Sequence, residues 1–269
     1  MGGTIHSAET STGIRRRAHD DLSVPDAIFS DPELAALYDV FDDDRSDLAA
    51  YTALVDEFDA TSVLDVGCGT GSLLTRLAAE HLELTLIGID PAEASLAVAS
   101  SKPGADRVRW IHGTADSSGV ENETIDLALM PGNVAQVSLT DEAWHGTRAG
   151  IAAALRSGGV FVFETRDPAR RAWNGWTSDR APVTRAGPEV GTVEQTIDLI
   201  EVAPPFVTFE IRYRFLDRDD GVRSSRSTLR FRDREDLDSS LDRAGFDVIE
   251  VRDAPDRPGL EWVYVCRRR

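Results

Sequence analysis

The feature that most constrains this chain is a turn with three alternate glycines, placed between an apolar segment and an amphipathic one. The segment Val63 to Gly71 reads VLDVGCGTG, and a helical pattern begins near Ser72. Glycine permits positive φ angles and lets the backbone approach a neighbouring group closely. Backbone N–H groups at the start of such a helix can then face a bound group. We therefore predict a strand, a tight turn and a helix, the first unit of a parallel α/β sheet.

A second acid follows this unit at a characteristic distance. Nineteen residues beyond Gly71, the apolar segment Leu84 to Ile89 ends in Asp90. In an open parallel sheet, ligands bind beyond the carboxyl ends of the strands, and an acid there can accept both hydroxyls of a ribose. The glycine turn and the acid together predict a cofactor that contains a nucleoside.

The spacing of the glycines narrows the class of cofactor. A dinucleotide fingerprint, G-x-G-x-x-G, needs glycine where this chain has Ser72, and no Gly-Lys-Ser/Thr follows for a phosphate-binding loop. The remaining pattern, Asp-x-Gly-x-Gly-x-Gly from Asp65 to Gly71, resembles the first motif of the class I S-adenosylmethionine-dependent methyltransferases. Asp90 is similar to the acid that follows their second strand.

The resemblance implies S-adenosyl-L-methionine as the cofactor and gives roles to residues at the sheet edge. N–H groups of the glycine turn hold the carboxylate of the cofactor, Asp65 its ammonium group and Asp90 its ribose. Asp116 accepts a hydrogen bond from the adenine amino group, although Thr114 stands where the family more usually has an acid. The implied cofactor-binding residues are Asp65, Gly67, Cys68, Gly69, Gly71, Asp90, Pro91, Ala115, Asp116 and Asn133. Asp65, Asp116 and Asn133 each have an alternative role as an ordinary turn or loop residue.

Strand and helix patterns alternate along the rest of the chain. Strands are expected at Ser62–Val66, Leu84–Ile89, Val108–His112, Ile125–Met130 and Val160–Glu164, with helices near Ser72–Glu80, Ala92–Ser100 and Asp141–Arg156. A helix from Asp233 and two strands, Phe246–Val251 and Trp262–Cys266, complete the core. The predicted fold class is α/β: a doubly wound, Rossmann-like, mostly parallel seven-stranded sheet with an antiparallel last strand, plus a small antiparallel β insertion. The resemblance covers roughly residues 62–164 and 233–269.

Four units are predicted. Residues 1–23 form a flexible tail, 24–60 carry helices that cover the cofactor site, and 61–165 with 232–269 form the core. In the insertion, 166–231, a loop-like stretch from Asp167 to Gly191 precedes three strands, at Val193–Val202, Val207–Phe215 and Val222–Phe231, with a hairpin turn at Asp220-Gly221. The insertion is either a lid over the acceptor site or the interface of a homodimer, since exposed strand edges pair readily.

Composition disfavours several classes of function. The formal net charge is −18 and the isoelectric point is near 4.6, which argues against binding to a nucleic-acid backbone. No apolar run reaches the length of a membrane span, and two cysteines cannot build a disulfide framework. The five histidines lack metal-binding spacing, so no metal is expected. We predict a cytoplasmic protein that acts on a small molecule, without nucleic-acid or membrane partners.

Methyl transfer is an in-line displacement from an activated donor, so positioning of the acceptor can supply most of the acceleration. A general base is needed only where the acceptor loses a proton, and the sequence contains no evident catalytic triad. Candidates for the acceptor side are Asn133, Glu164, Trp173, Trp176 and Tyr38, of which Glu164 can attract an amine or accept a proton. The tryptophans can equally anchor the insertion, and Tyr38 can be simple core.

The predicted function is transfer of a methyl group to an N, O or C nucleophile of a small molecule. Two alternatives stay open. A nicotinamide-dependent oxidoreductase is disfavoured by Ser72, which occupies the place of its third glycine. A non-catalytic S-adenosylmethionine-binding regulatory protein is disfavoured by the intact glycine turn and by Asp90.

Overall fold

The structure is a computed structural model that describes residues 25–42, 45–177, 179, 181–187, 190–219 and 221–269. The predicted tail 1–23 and Asp220 of the predicted hairpin turn lie outside the described residues. The α-helices are α1 Ala27–Ser30, α2 Pro32–Phe41, α3 Asp47–Glu57, α4 Ser72–Glu80, α5 Glu93–Ser101, α6 Asp141–Ala154 and α7 Arg234–Arg243. The strands are β1 Ser62–Val66, β2 Thr85–Asp90, β3 Val108–His112, β4 Ile125–Met130, β5 Leu155–Arg166, β6 Val183–Gly187, β7 Gly191–Ala203, β8 Phe206–Phe215, β9 Val222–Arg230, β10 Phe246–Asp253 and β11 Glu261–Arg268.

Seven strands form the main sheet in the order β10-β11-β5-β4-β1-β2-β3. β1 to β5 run parallel, whereas β11 is antiparallel to both β5 and β10. The predicted doubly wound, mostly parallel sheet with an antiparallel last strand is therefore confirmed. Because the chain moves outward through β2 and β3 and then returns to β4, β1 and β4 lie at the switch point where such sheets bind ligands.

The strands of this sheet are apolar runs because both of their faces are covered. One face of β1, β4 and β5 contributes Val63, Leu127 and Val162 to a core shared with α3 and α4. The other face contributes Leu64 and Phe161 to a core shared with α6 and α7. The sheet is thus buried between two helical layers, and only its strand ends are free to form a site.

Two boundaries differ from prediction in the same region. Helix α6 ends at Ala154, and β5 begins at once with Leu155, although the helix was predicted to extend to about Arg156 and the strand to begin at Val160. The glycines serve the strand instead: Gly158 has a φ of 78°, and the pairing with β4 shifts register between Ile125 and Leu127. A left-handed glycine beside a register shift is the geometry of a β-bulge, which bends a strand without ending it.

The insertion contains four antiparallel strands, in the order β6-β7-β8-β9, where three were predicted. The stretch from Asp167 to Gly191 was wrongly predicted as loop-like throughout, since Val183–Gly187 pairs with β7. This strand has no apolar alternation because its register comes from backbone bonds to a neighbour, and such bonds leave little trace in sequence.

The inserted sheet packs its apolar face against the N-terminal helices. Ile28, Leu34 and Leu37 of α1 and α2 form one cluster with Val193, Tyr213 and Phe215 of the insertion. The other face is polar, with Arg212 bonded to Asp198 and to Glu210. The N-terminal helices therefore lie between the inserted sheet and helix α5, against which α1 and α2 also pack.

Gly71 ends the glycine turn at a crowded point of the core. Its φ angle is 77°, and a Cβ atom on it would lie 2.5 Å from Trp110 Cη2 and 2.8 Å from Ala99 Cβ. Gly119, between β3 and β4, provides a comparison, since its φ is 63° and no atom lies within 4 Å of an added Cβ. The two glycines share a left-handed conformation and differ in packing.

We predict that Gly71→Ala lowers the free energy of unfolding by about 2–5 kcal/mol, because overpacking adds to the cost of a left-handed alanine. The control Gly119→Ala should lose only the backbone contribution, about 1–2 kcal/mol. Urea unfolding followed by circular dichroism measures both values. Equal losses in the two variants would contradict a packing role for Gly71.

Candidate functional site

Asp90 holds the glycine turn against the end of β2. Its Oδ2 accepts the N–H of Gly69 at 2.8 Å, and its Oδ1 accepts the N–H of Ala92 at 2.8 Å. Burial raises the pKa of Asp90, and the two backbone hydrogen bonds oppose that rise. A carboxylate oxygen has more than one lone pair, so each oxygen can still accept a hydroxyl.

The N–H groups of the glycine turn are engaged within the protein. Those of Gly67 and Cys68 donate to Ile89 O at 2.8 and 3.1 Å, and that of Gly71 donates to Cys68 O at 2.9 Å. With Gly69 bonded to Asp90, four N–H groups of the turn already have partners. Their role toward a cofactor carboxylate stays a prediction.

The glycines of the turn instead provide space. A Cβ on Gly67 would lie 2.6 Å from Val134 Cγ1, whereas one on Gly69, whose φ is 53°, would meet nothing within 4 Å. Gly69 thus presents bare backbone to open space directly beside the Asp90 carboxylate. Cys68 is buried, and burial raises the pKa of its thiol, so it is a packed side chain rather than a thiolate.

Asp65, near the end of β1, is a buried acid with an unused oxygen. Its side chain is 1% exposed, and its Oδ1 has no hydrogen-bond partner. Burial, followed by the Asp90 carboxylate, raises the pKa of Asp65 to about 7, while Arg45 opposes the shift. A buried acceptor without a donor is costly, so this oxygen is suited to a donor supplied by a ligand.

The loop after β3 lies at the same edge. Gly113 N donates to Asp90 O at 3.0 Å, and His112 Nε2 lies 3.0 Å from Pro91 O. Ala115 is buried. Asp116 is exposed, and its Oδ1 accepts the hydroxyl of Thr114 at 2.5 Å. The loop is therefore adjacent to Asp90, with Asp116 on its outer side.

The segment after β4 carries Asn133 into a buried polar cluster. Asn133 is left-handed, with a φ of 60°, and is 2% exposed. Its N–H donates to Glu164 Oε1 at 3.2 Å, while Tyr51 OH donates to Glu164 Oε2 at 2.6 Å. Burial raises the pKa of Glu164, against the hydrogen bond from Tyr51. Two of the predicted acceptor-side residues are thus in contact.

A second glutamate, absent from the sequence prediction, joins this cluster. Glu261 accepts Asn133 Nδ2 at 3.0 Å and Arg257 Nη1 at 3.1 Å, and Arg166 Nε lies 3.4 Å from it. Glu261 precedes the predicted last strand by one residue, and only the antiparallel pairing of β11 with β5 places it opposite Arg166. An acid flanking a strand is too common for sequence to single it out.

The two predicted tryptophans pack under the insertion. Trp173 is 7% exposed and lies edge-on to Phe231, with ring centroids 4.6 Å apart. Trp176 contacts Phe209 at 4.8 Å, and Arg166 lies over its ring at 5.4 Å. Trp173 is therefore an anchor, while Trp176 reaches the polar cluster through Arg166.

The N-terminal helices are fastened to the glycine turn by an ion pair that the sequence did not reveal. Asp39 of α2 accepts the Thr70 hydroxyl at 2.5 Å and lies 2.5 Å from Lys102 Nζ, which also donates to Ser72 Oγ at 2.9 Å. Lys102 is the single lysine of the chain, and this is the one sequence feature by which it could have been singled out. Tyr38, on the same helix, is half-buried and packs on Phe29 at 5.6 Å.

Neither a metal centre nor a membrane span is found in the described ranges. No three His, Cys, Asp or Glu side chains there are grouped so as to hold a metal ion. None of the helices in those ranges combines the length and the apolar character needed to cross a bilayer.

Comparison with known proteins agrees with this geometry. Residues 63–159 match a family described as a methyltransferase domain. A curated relative, the tRNA (guanine-N(7)-)-methyltransferase of Shewanella woodyi (strain ATCC 51908 / MS32), is 26% identical over 172 residues, which cover 57% of this chain and 67% of the relative. The matched domain contains the glycine turn, Asp90 and Asn133.

Solved structures with the same fold cover nearly the whole chain. An S-adenosylmethionine-dependent methyltransferase from Clostridium acetobutylicum ATCC 824 has a TM-score of 0.69 at 15% identity, over 88% of this chain and 98% of that one. The sugar N-methyltransferase KedS8 from Streptoalloteichus sp ATCC 53650 has a TM-score of 0.68 at 21% identity, over 99% of this chain and 100% of that one. Residues 63–159 thus match a methyltransferase domain, and the chain as a whole has the fold of these S-adenosylmethionine-dependent methyltransferases.

Proposed function

We propose that this protein transfers a methyl group from S-adenosylmethionine to a nucleophile on a small molecule. The observation that carries the proposal is a set of two buried acids on neighbouring strands, Asp65 of β1 and Asp90 of β2, with the bare backbone of Gly69 beside Asp90. Oδ1 of Asp65 has no hydrogen-bond donor, and each carboxylate oxygen of Asp90 can accept a further hydrogen bond. The cofactor offers matching donors, an ammonium group and two ribose hydroxyls, so the residues present fit it.

The donor side follows from that match. Asp65 binds the ammonium group and Asp90 the ribose hydroxyls, while Gly69 leaves room for the cofactor to lie against the backbone. Ala115 and Asp116 border the adenine. When bound, the cofactor supplies an activated methyl group on a positive sulfur. The protein holds it at a sheet edge that α1 to α3 cover.

The acceptor side is formed by Asn133, Glu164 and Tyr51. Asn133 follows β4, Glu164 lies near the end of β5, and Tyr51 reaches Glu164 from helix α3, so the group continues the carboxyl edge of the sheet from β1. Direct displacement needs the nucleophile close to the methyl group and in line with the sulfur, and a cleft closed from water favours that geometry. The proposed units 24–60 and 166–231 cover this side as a lid, anchored by Trp173 and by the cluster around Leu37 and Tyr213.

A small acceptor is favoured over a nucleic acid by charge and enclosure. The chain has a net charge of −18, and the acceptor-side groups Glu164 and Glu261 are buried carboxylates. A phosphate backbone is repelled by such a surface. The neighbour named a sugar N-methyltransferase supports the same choice, whereas the relative named a tRNA methyltransferase provides the alternative to test.

The test is a pair of measurements on the whole chain. We expect S-adenosylhomocysteine to bind with micromolar affinity, about −8 kcal/mol by calorimetry, and nicotinamide dinucleotides not to bind. A radiolabelled methyl donor should label members of a small-molecule acceptor panel and leave unmodified tRNA unlabelled. Labelling of tRNA alone would overturn the small-molecule acceptor but keep the methyltransferase.

Asp90→Asn tests the donor site. We predict at least a tenfold loss of affinity for S-adenosylhomocysteine, because charge-assisted hydrogen bonds contribute roughly 1.5–3 kcal/mol each. Thermal stability should also fall, since Asp90 holds the N–H groups of Gly69 and Ala92. Calorimetry and thermal unfolding measure the two effects.

Asp126→Asn is the matched control for Asp90→Asn. Asp126 accepts the N–H groups of Thr61 and Ser62 at 2.8 and 3.1 Å, at the opposite edge of the sheet. It should lose stability by a comparable amount and keep its affinity for S-adenosylhomocysteine. An equal loss of affinity in both variants would mean that Asp90 acts only through folding.

The raised pKa of Asp65 predicts that cofactor binding and the stability of the folded protein depend on pH. Its pKa of about 7 lies above the ordinary 3.8, so it stabilises the free folded protein below about pH 4, and this stabilisation is lost as pH rises to 7. The cofactor's ammonium group favours the ionised acid, so affinity for S-adenosylhomocysteine should rise roughly tenfold from pH 6 to pH 8. Calorimetry in buffers of different ionisation enthalpy should detect proton release, and Asp65→Asn should abolish it. A pH-independent affinity would contradict this role.

A further inference from the structure

Glu164 is a buried carboxylate whose hydrogen-bond donors are all neutral. It is 2% exposed, and its donors in the described chain are Tyr51 OH, Asn133 N and, at 3.5 Å, Asn133 Nδ2. No arginine or lysine of the described ranges forms an ion pair with it, and Arg166 and Arg257 act on it only through their longer-range charges. A buried charge without a cationic partner is expensive, so this site is adapted to a cation that arrives with a ligand.

The neighbouring Glu261 shows the contrast. It is 3% exposed, yet Arg257 donates to both of its oxygens at 3.1 and 3.2 Å, and Arg166 lies 3.4 Å away. Both arginines of the cluster, Arg166 and Arg257, therefore form ion pairs with Glu261. The protein neutralises one buried glutamate with its own cations and leaves the adjacent one without.

Asn133 supplies a second acceptor at the same place. Its Nδ2 donates to Glu261 at 3.0 Å, which fixes the amide, but its Oδ1 has no partner although the residue is 2% exposed. A ligand whose single donor atom satisfies both Asn133 Oδ1 and Glu164 must carry at least two hydrogens on that atom. A hydroxyl has a single hydrogen, whereas a primary ammonium group has three.

We propose that the acceptor is a small-molecule primary amine that enters as its ammonium form, and that Glu164 is the catalytic residue that takes its proton. This inference rests on the proposed function. One N–H proton passes to the Glu164 carboxylate, which becomes a neutral acid, and the freed lone pair of nitrogen attacks the methyl carbon. The carbon–sulfur bond breaks with its electron pair left on sulfur, and the product is an N-methylammonium and S-adenosylhomocysteine. Asn133 Oδ1 accepts a second N–H and orients the nitrogen.

Tyr51 is a positioning residue in this arrangement. Its hydroxyl donates to Glu164 Oε2 at 2.6 Å, which fixes the carboxylate and favours its ionised form. Burial raises the pKa of Tyr51 itself, so it stays a donor. The titratable and charged groups that surround Glu164 are Asp47, Tyr51, Arg166, Asp256, Arg257 and Glu261.

The experiment compares matched acceptors and a matched variant. Glucosamine and 2-phenylethylamine are tested beside glucose and 2-phenylethanol, with S-adenosylmethionine as donor. We expect the amines to be methylated and their hydroxyl counterparts not. Glu164→Gln should lower amine turnover at pH 7 by at least tenfold, a typical loss for a proton-accepting group. Its turnover should recover toward pH 10, where the amine is already free, while affinity for S-adenosylhomocysteine stays within twofold of wild type.

Two further variants provide a control and a second test of the role of Glu164. Glu194→Gln removes a carboxylate that pairs with Arg214 on the polar face of the insertion and should leave turnover unchanged. Tyr51→Phe, which keeps the packing ring, should move the acidic limb of the pH profile upward if Glu164→Gln does not fold. An unshifted profile, or methylation of hydroxyl compounds alone or of no amine, overturns the inference. Failure to bind S-adenosylhomocysteine instead overturns the proposed function.

Discussion

The site depends on two hydrogen bonds that the Asp90 carboxylate accepts from backbone N–H groups. Its two oxygens join Gly69 of the glycine turn to Ala92 at the start of α5, each at 2.8 Å. The turn, β2 and α5 are therefore locked to one another before any ligand binds. The close packing of Gly67 and Gly71 fixes the turn from the other side and leaves Gly69 as its single bare point. Preorganisation of this kind lowers the entropic cost of binding a flexible cofactor.

Around this point the protein buries acids that it does not fully neutralise. Asp65 and Glu164 are almost completely buried. Oδ1 of Asp65 has no hydrogen-bond donor, and neither has Oδ1 of Asn133, the residue next to Glu164. Burial raises the pKa of both acids, which is typical of groups that exchange protons or receive cations. The stability lost in this way is offset by large apolar clusters on both faces of the sheet. The site thus contains buried acids that are not fully neutralised, while the scaffold around it is well packed.

The N-terminal helices pack on both the insertion and the glycine turn, as the proposed lid requires. The helices contact the inserted sheet through apolar side chains, and they contact the glycine turn through Asp39, Thr70 and Lys102. Glu33 of α2 also forms an ion pair with Arg223 of the inserted sheet, so polar contacts hold the helices on both sides. If the proposed lid opens for exchange of cofactor and product, the ion pair of Asp39 with Lys102 is a contact that its opening would break.

Local patterns were enough to predict the parallel core, because buried strands and glycine turns leave their mark within a few neighbouring residues. Ser62–Val66, Ser72–Glu80, Val108–His112 and Ile125–Met130 have the predicted bounds, and Asp65, Asp90, Asn133 and Glu164 were all singled out as candidates. Contacts between distant segments left no such mark. The ion pair of Asp39 with Lys102 and the contacts of Glu164 with Tyr51 and Asn133 join segments far apart in the chain. The sequence thus determined the sheet and its acids, while the tertiary structure alone decided which acid formed an ion pair with an arginine and which did not, because pairing depends on distances that only the folded chain sets.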